Sequence, residues 1–185
     1  MVGRKKQNVE KQFEVNEELE LSSTFSPEKH KFLKELKVMV HSPADLISKH
    51  LTEHITIAYI DNLVDDKVLG SQIISELIEC QPEMPEELPH LLSIPELKVT
   101  DQKRDIIYDM LGGNVVIHID GHSRAGLANI ATMPTRSLAA PENESQVIGS
   151  QIGFNESLGT NISLVRQLIK NANLCNEEFT VGKQT

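Results

Sequence analysis

Residues 55–60 read Ile-Thr-Ile-Ala-Tyr-Ile, and 61–66 continue as Asp-Asn-Leu-Val-Asp-Asp. Six β-branched, aromatic and small side chains without a charge predict a strand buried on both faces. Asp65 and Asp66 suit the positive end of a helix dipole, and Leu69, Ile73 and Leu77, with Ile74 and Ile78, supply that helix with one apolar stripe. A strand running straight into a helix opens an α/β unit. Asn114–Ile119 predicts another strand, Asp120-Gly121 a two-residue turn, and 122–130 a return strand. The small residues Ala125, Gly126 and Ala128 leave that strand open to close approach by a neighbour.

Upstream, Ser26-Pro27-Glu28 has the chemistry of a helix start, and Phe32, Leu33, Leu36 and Val40 share one helical face. Ser42-Pro43-Ala44-Asp45 repeats the signal, with Asp45 placed to reach back as in a capping box, and predicts a short helix through Leu46, Ile47 and Leu51. Pro82, Pro85, Pro89 and Pro95 predict an irregular loop over 81–100 with a helical turn near Leu91. Thr100 is placed to cap a helix through Leu111 that stops at Gly112-Gly113. Near the carboxy end, Asn155 is placed to cap a helix to about Lys170, striped by Phe154, Leu158, Ile162, Val165, Leu168 and Ile169; a strand is expected over 177–181.

The expected architecture is therefore α/β. A polar, disordered tail (1–26) precedes a small mixed-sheet lobe with flanking helices (27–132). A linker (133–149) then leads to the start of a second α/β lobe (150–185). About 35 residues bury too little surface to stand alone, so that lobe reads as incomplete.

Composition narrows the function. The chain has 185 residues and a net charge of −9, the wrong sign for a nucleic-acid backbone. Residues 61–110 hold twelve Asp and Glu against four Lys and Arg, which reads as a solvated face or a dock for a basic partner. Two separated cysteines give no metal or disulfide framework, and no apolar run reaches the roughly 18 residues of a membrane span. No nucleophile elbow, P-loop or HExxH is present, so no enzyme, cofactor or metal is expected. His118 and His122 straddle the Asp120-Gly121 turn, where two imidazoles do not converge on one ion. Asp61, at the carboxyl end of a strand, is the best-placed ligand candidate, and Gly149-Ser150-Gln151-Ile152-Gly153 leads into a helix start able to hold an anion.

A longer pattern runs through the carboxy-terminal third: Arg136, Pro141, Val147-Ile148-Gly149, Gly153-Phe154, Glu156-Ser157-Leu158, Thr160-Asn161, Leu164, Arg166, Ile169-Lys170, Asn173-Leu174 and Val181-Gly182. Shorter strings precede it: Ser42-x-x-Asp45-Leu46, Tyr59-Ile60-Asp61-x-Leu63-Val64-Asp65, and Gly113-x-Val115-x-x-x-Ile119-Asp120-Gly121. In order and spacing these resemble the soluble N-terminal region of A subunits of GerA-type spore germinant receptors.

The resemblance implies spore germination, a non-enzymatic role beside other receptor subunits, and a small nutrient ligand such as an amino acid or sugar. It also implies a soluble domain on the cytoplasmic side of the spore inner membrane, with two small α/β lobes. The implied ligand or interlobe contacts are Asp61, Arg136, Gly149, Gly153, Glu156, Asn161 and Arg166. This sequence departs from the family at Met133, where a Trp is usual. It also departs at Gly149–Gly153, usually Gly-Pro-Arg-Glu-Gly, and at Arg166-Gln167, usually paired arginines. The alternatives are a stand-alone small-molecule binding protein using Asp61 and a structural adaptor using the acidic face.

Overall fold

The computed structural model describes residues 23–132, 154 and 156–179. The elements are α1 (Lys29–Met39), β1 (Leu46–His50) and β2 (Ile55–Ile60), then α2, which runs end to end through Asp66–Val68, Leu69–Ile74 and Ser75–Cys80. A 3-10 turn (Pro85–Glu87) leads into α3 (Leu88–Leu91), β3 (Leu97–Thr100), α4 (Lys103–Met110), β4 (Asn114–Ile119), β5 (Ala125–Asn129) and α5 (Leu158–Leu168). The strands form one sheet in the order β1-β2-β4-β5-β3. The α/β class and the flanking helices are as expected, and every strand pairing is antiparallel.

All six residues of β2 are buried, because helices cover both faces of the sheet. Ala58, Ile60, Val116, Ala125 and Leu127 face α1 and α4, joining Phe32, Leu36, Ile106 and Met110. Ile55, Ile57, Tyr59, Val115, Ile117 and Ala128 face α2 and α3, joining Leu69, Ile73, Leu77 and Leu88. The period of two along β2 and β4 thus feeds two aliphatic cores. The opening foreseen in β5 is used: a Cβ at Gly126 would lie 2.4 Å from Leu88 Cδ1.

Several local expectations are corrected. The tail ends earlier than 26: Thr24 bridges Gln102 in antiparallel fashion, and Phe25 is buried edge-on against Phe32, 5.0 Å between ring centres. α1 begins at Lys29 rather than at Ser26, and its first N–H donates to Asp120 Oδ1 at 2.8 Å, so the β4–β5 turn supplies the missing acceptor. That turn is wider than two residues, since His118 is already paired with Ala125. Leu46–His50 is an edge strand on β2 and not a helix, because ladder bonding to a buried strand outweighs a local capping signal. Leu97–Thr100 pairs with β5 inside the segment read as loop, so α4 begins only at Lys103. Of the strand expected over 177–181, the described residues 177–179 pair with no strand. The linker 133–149 and the Asn155 cap lie outside the described residues, and Ser157 caps α5 by accepting from the Thr160 N–H.

His118 is fully buried in β4, stacked on Phe32 at 4.1 Å and 16°, with Nε2 3.1 Å from the His122 carbonyl. Burial lowers its pKa from 6.5 to about 4, which the His122 carbonyl and Asp120 only partly oppose. The folded protein therefore keeps His118 neutral while the unfolded chain takes up a proton below pH 6.5. Its contribution to stability is complete above about 6.5 and is lost as pH falls towards 4. About 3 kcal/mol is at stake. The urea midpoint of the parent should fall relative to that of His118→Leu on acidification through this window. Independently, Gly126→Val should lower stability by about 1–3 kcal/mol by forcing Leu88 out of place.

Candidate functional site

The carboxy-terminal helix is seated on the lobe by polar groups. Asp45 leads into β1, and Arg166 lies in the last turn of α5, 121 residues away. Arg166 Nε donates to Asp45 Oδ2 and Nη2 to Asp45 Oδ1, both at 2.7 Å, while Nη1 donates to the Leu174 carbonyl at 2.8 Å. The two side chains are only 3 % and 4 % exposed. A planar guanidinium matched to both carboxylate oxygens is the geometry in which a buried charge pair is tolerated.

Further contacts follow the same seam. Ser163 Oγ lies 2.6 Å from the Asn62 carbonyl, and Gln167 Nε2 donates to the Thr132 carbonyl at 3.1 Å. The Ala44 N–H donates to the Asn176 carbonyl at 2.8 Å. Asn62 adopts φ 61, a conformation Asn tolerates better than most side chains. Gly159 allows the close approach, since a Cβ there would meet Asn62 Oδ1 at 2.6 Å.

Only Ser163, Leu164 and Arg166 of α5 are buried. Of the expected stripe, Phe154, Leu158 and Leu168 are each 70 % exposed and Ile169 50 %, while Ile162 and Val165 are half-buried; Phe179, further along the chain, is 77 % exposed. Between α5 and the β2 end lies a cleft of about 530 Å³ bordered by Ala44, Asp61, Asn62, Leu158, Ile162 and Glu177.

Of the candidate contacts, the structure brings Asp61 to this cleft, and Arg166 is buried against Asp45, which also borders it. Asp61 is half-buried, and its Oδ2 accepts from Asn62 Nδ2 at 3.2 Å. Glu156 is exposed, and Asn161 lies half-buried in the first turns of α5, its N–H donating to the Ser157 carbonyl. Arg136, Gly149 and Gly153 lie outside the described residues. Asn62 and Ser163 escaped sequence reading, because their roles are set by a helix a hundred residues distant. Asp45 was misread as a local cap for the same reason. Among the described residues no three His, Cys, Asp or Glu side chains group to hold a metal, and no helix is long and apolar enough to cross a membrane.

The acidic stretch 61–110 is not one open face. Asp65 caps α2, Asp109 pairs with Lys98 at 2.5 Å, Glu86 pairs with Arg124, and Glu96 accepts from Asn129.

Residues 34–185 match the Bacillus/Clostridium GerA spore germination protein family. The chain belongs to that family. It is 29 % identical over 180 residues to spore germination protein KA of Bacillus subtilis, covering 91 % of this chain and 33 % of the relative. It is 34 % identical over 138 residues to spore germination protein B1 of the same organism, covering 69 % and 27 %. The chain thus spans about a third or less of these curated relatives. Its fold matches the crystal structure of the N-terminal domain of the A subunit of the Bacillus megaterium spore germinant receptor GerK3. The TM-score is 0.62 at 18 % identity, covering 88 % of this chain and 63 % of that one. In this GerA family member, Asp45→Ala leaves the Arg166 charge buried without its carboxylate, and should cost about 3–5 kcal/mol. Hydrogen exchange should show α5 losing protection first, and the paired change Asp45→Leu with Arg166→Met should restore much of it.

Proposed function

We propose that this region is a non-enzymatic coupling module of a spore germinant receptor A subunit, working through contact with other receptor subunits beside the spore inner membrane, on its cytoplasmic side. The observation that carries the reading is the two-sided character of α5. Its polar side is fastened to the lobe through Asp45, Asn62 and Thr132, and the large apolar side chains on and around it are left facing outward. Exposed apolar side chains presented on a firmly held helix are a common form of protein contact site. Family membership supplies the context, since the relatives are named spore germination proteins.

A nutrient-sensing role is a second reading, favoured by the cleft beside Asp61. Asp61, Glu177 and Glu178 line it together with the apolar Leu158 and Ile162, and the carboxylates suit the ammonium group of an amino acid. Calorimetry with amino acids and sugars on the parent and Asp61→Asn tests it.

For coupling, the triple variant Leu158→Ser, Leu168→Ser, Ile169→Ser is the direct test. The changed positions are exposed, so the melting midpoint should stay near that of the parent, within about 0.5 kcal/mol for each change. Affinity capture of the A subunit from spore membranes should then recover markedly less of the other receptor subunits. Undiminished recovery refutes the coupling face.

A further inference from the structure

At the meeting of α1, α4 and the residues after α5, a pocket of about 410 Å³ opens to solvent. Its floor is apolar, built from Met39, Ile107 and Leu111. Its rim carries Arg104 and Lys170, both exposed, and the ring of Tyr108, which is 58 % exposed. Lys170 Nζ stands 5.9 Å from the centre of that ring. Lys103 also borders the pocket, but it is buried and holds Glu35 at 3.2 Å.

The charge here runs against that of the chain. Net charge is −9, yet among the described residues no carboxylate lines this pocket. Glu35 is taken up by Lys103 and the Ser26 N–H, and Asp109 by Lys98. Arg104 and Lys170 form no ion pair among the described residues. Two cations with no carboxylate partner among the described residues, over a greasy, aromatic-edged floor, match an anion with an apolar body. A cationic or zwitterionic ammonium would meet like charge, and a sugar would leave the floor unfilled.

We propose that this pocket binds a small organic carboxylate with an aliphatic or aromatic body, its carboxylate between Arg104 and Lys170 and its body on Met39, Ile107 and Leu111. The pocket volume lies in the range of small-molecule sites. The proposal is independent of both the α5 face and the Asp61 cleft.

The test is an NMR titration of the whole chain with hexanoate, using hexan-1-ol and hexylamine as neutral and cationic comparators. Hexanoate should give saturable shifts at the Met39 methyl and the Tyr108 ring, with hexan-1-ol weaker by about tenfold or more and hexylamine weaker still. Arg104→Gln combined with Lys170→Gln should weaken hexanoate by about tenfold and leave hexan-1-ol unchanged. Added salt should weaken hexanoate alone. Asp61→Asn should change none of these values, which separates this pocket from the cleft. Equal shifts from hexanoate and hexan-1-ol, hexanoate binding indifferent to the double substitution, or no saturable shift at Met39 each overturn the proposal.

Discussion

The two hydrogen bonds between Arg166 and Asp45 decide how the carboxy-terminal helix meets the rest of the molecule. An apolar contact tolerates sliding and rotation, but two parallel N–H···O bonds inside a dry seam do not. The pair therefore fixes both the height and the spin of α5, and Ser163 and Gln167 repeat the constraint on either side. Burying this pair is not where stability comes from, because desolvation of both ions offsets most of their attraction. What the pair secures is orientation: Leu158 and Leu168, both exposed, have no freedom to roll inward and hide.

Beneath that seam lies a sheet insulated on both sides. Most polar groups that enter it are matched, His118 Nδ1 being an exception. Thr56 Oγ1 lies 2.9 Å from His50 Nδ1, Lys103 meets Glu35, and His118 is pressed on Phe32 with one nitrogen at the His122 carbonyl. Two of the few aromatic rings tie down the segment before α1: Phe25 and Phe32 interlock, and Lys103 Nζ sits 5.3 Å from the Phe25 ring centre. A segment that looks like tail by composition is in this way tied to two helices.

Legibility in the sequence followed the range of the deciding contact. β2 and β4 are uncharged or nearly so, and α2 carries its own stripe and its own Asp65 cap; both were readable from neighbours within ten residues. β1 and β3 were not. They lie at the two sheet edges, carry Lys49 and Lys98, and become strands because β2 and β5 offer them a ladder. Arg166 and Asp61 stood out, the first through a family pattern and the second at a strand end. The partner of Arg166 was hidden, because Asp45 imitates a helix cap and nothing local betrays a guanidinium arriving from 121 positions later. The apolar spacing of α5 was read correctly as a stripe, but which side it faces depends on polar residues between its members.

The middle of α2 winds as a π segment over Leu69–Ile74, with Ser75 Oγ donating to the Gly70 carbonyl at 2.9 Å. Such a turn holds one residue more than the α turns on either side of it. That surplus residue is absorbed locally, so Leu69, Ile73 and Leu77 all still reach the sheet. The helix thereby contains a built-in slack loop: shortening the chain by one position within 70–72 would let it tighten into plain α geometry without turning either half off its seat.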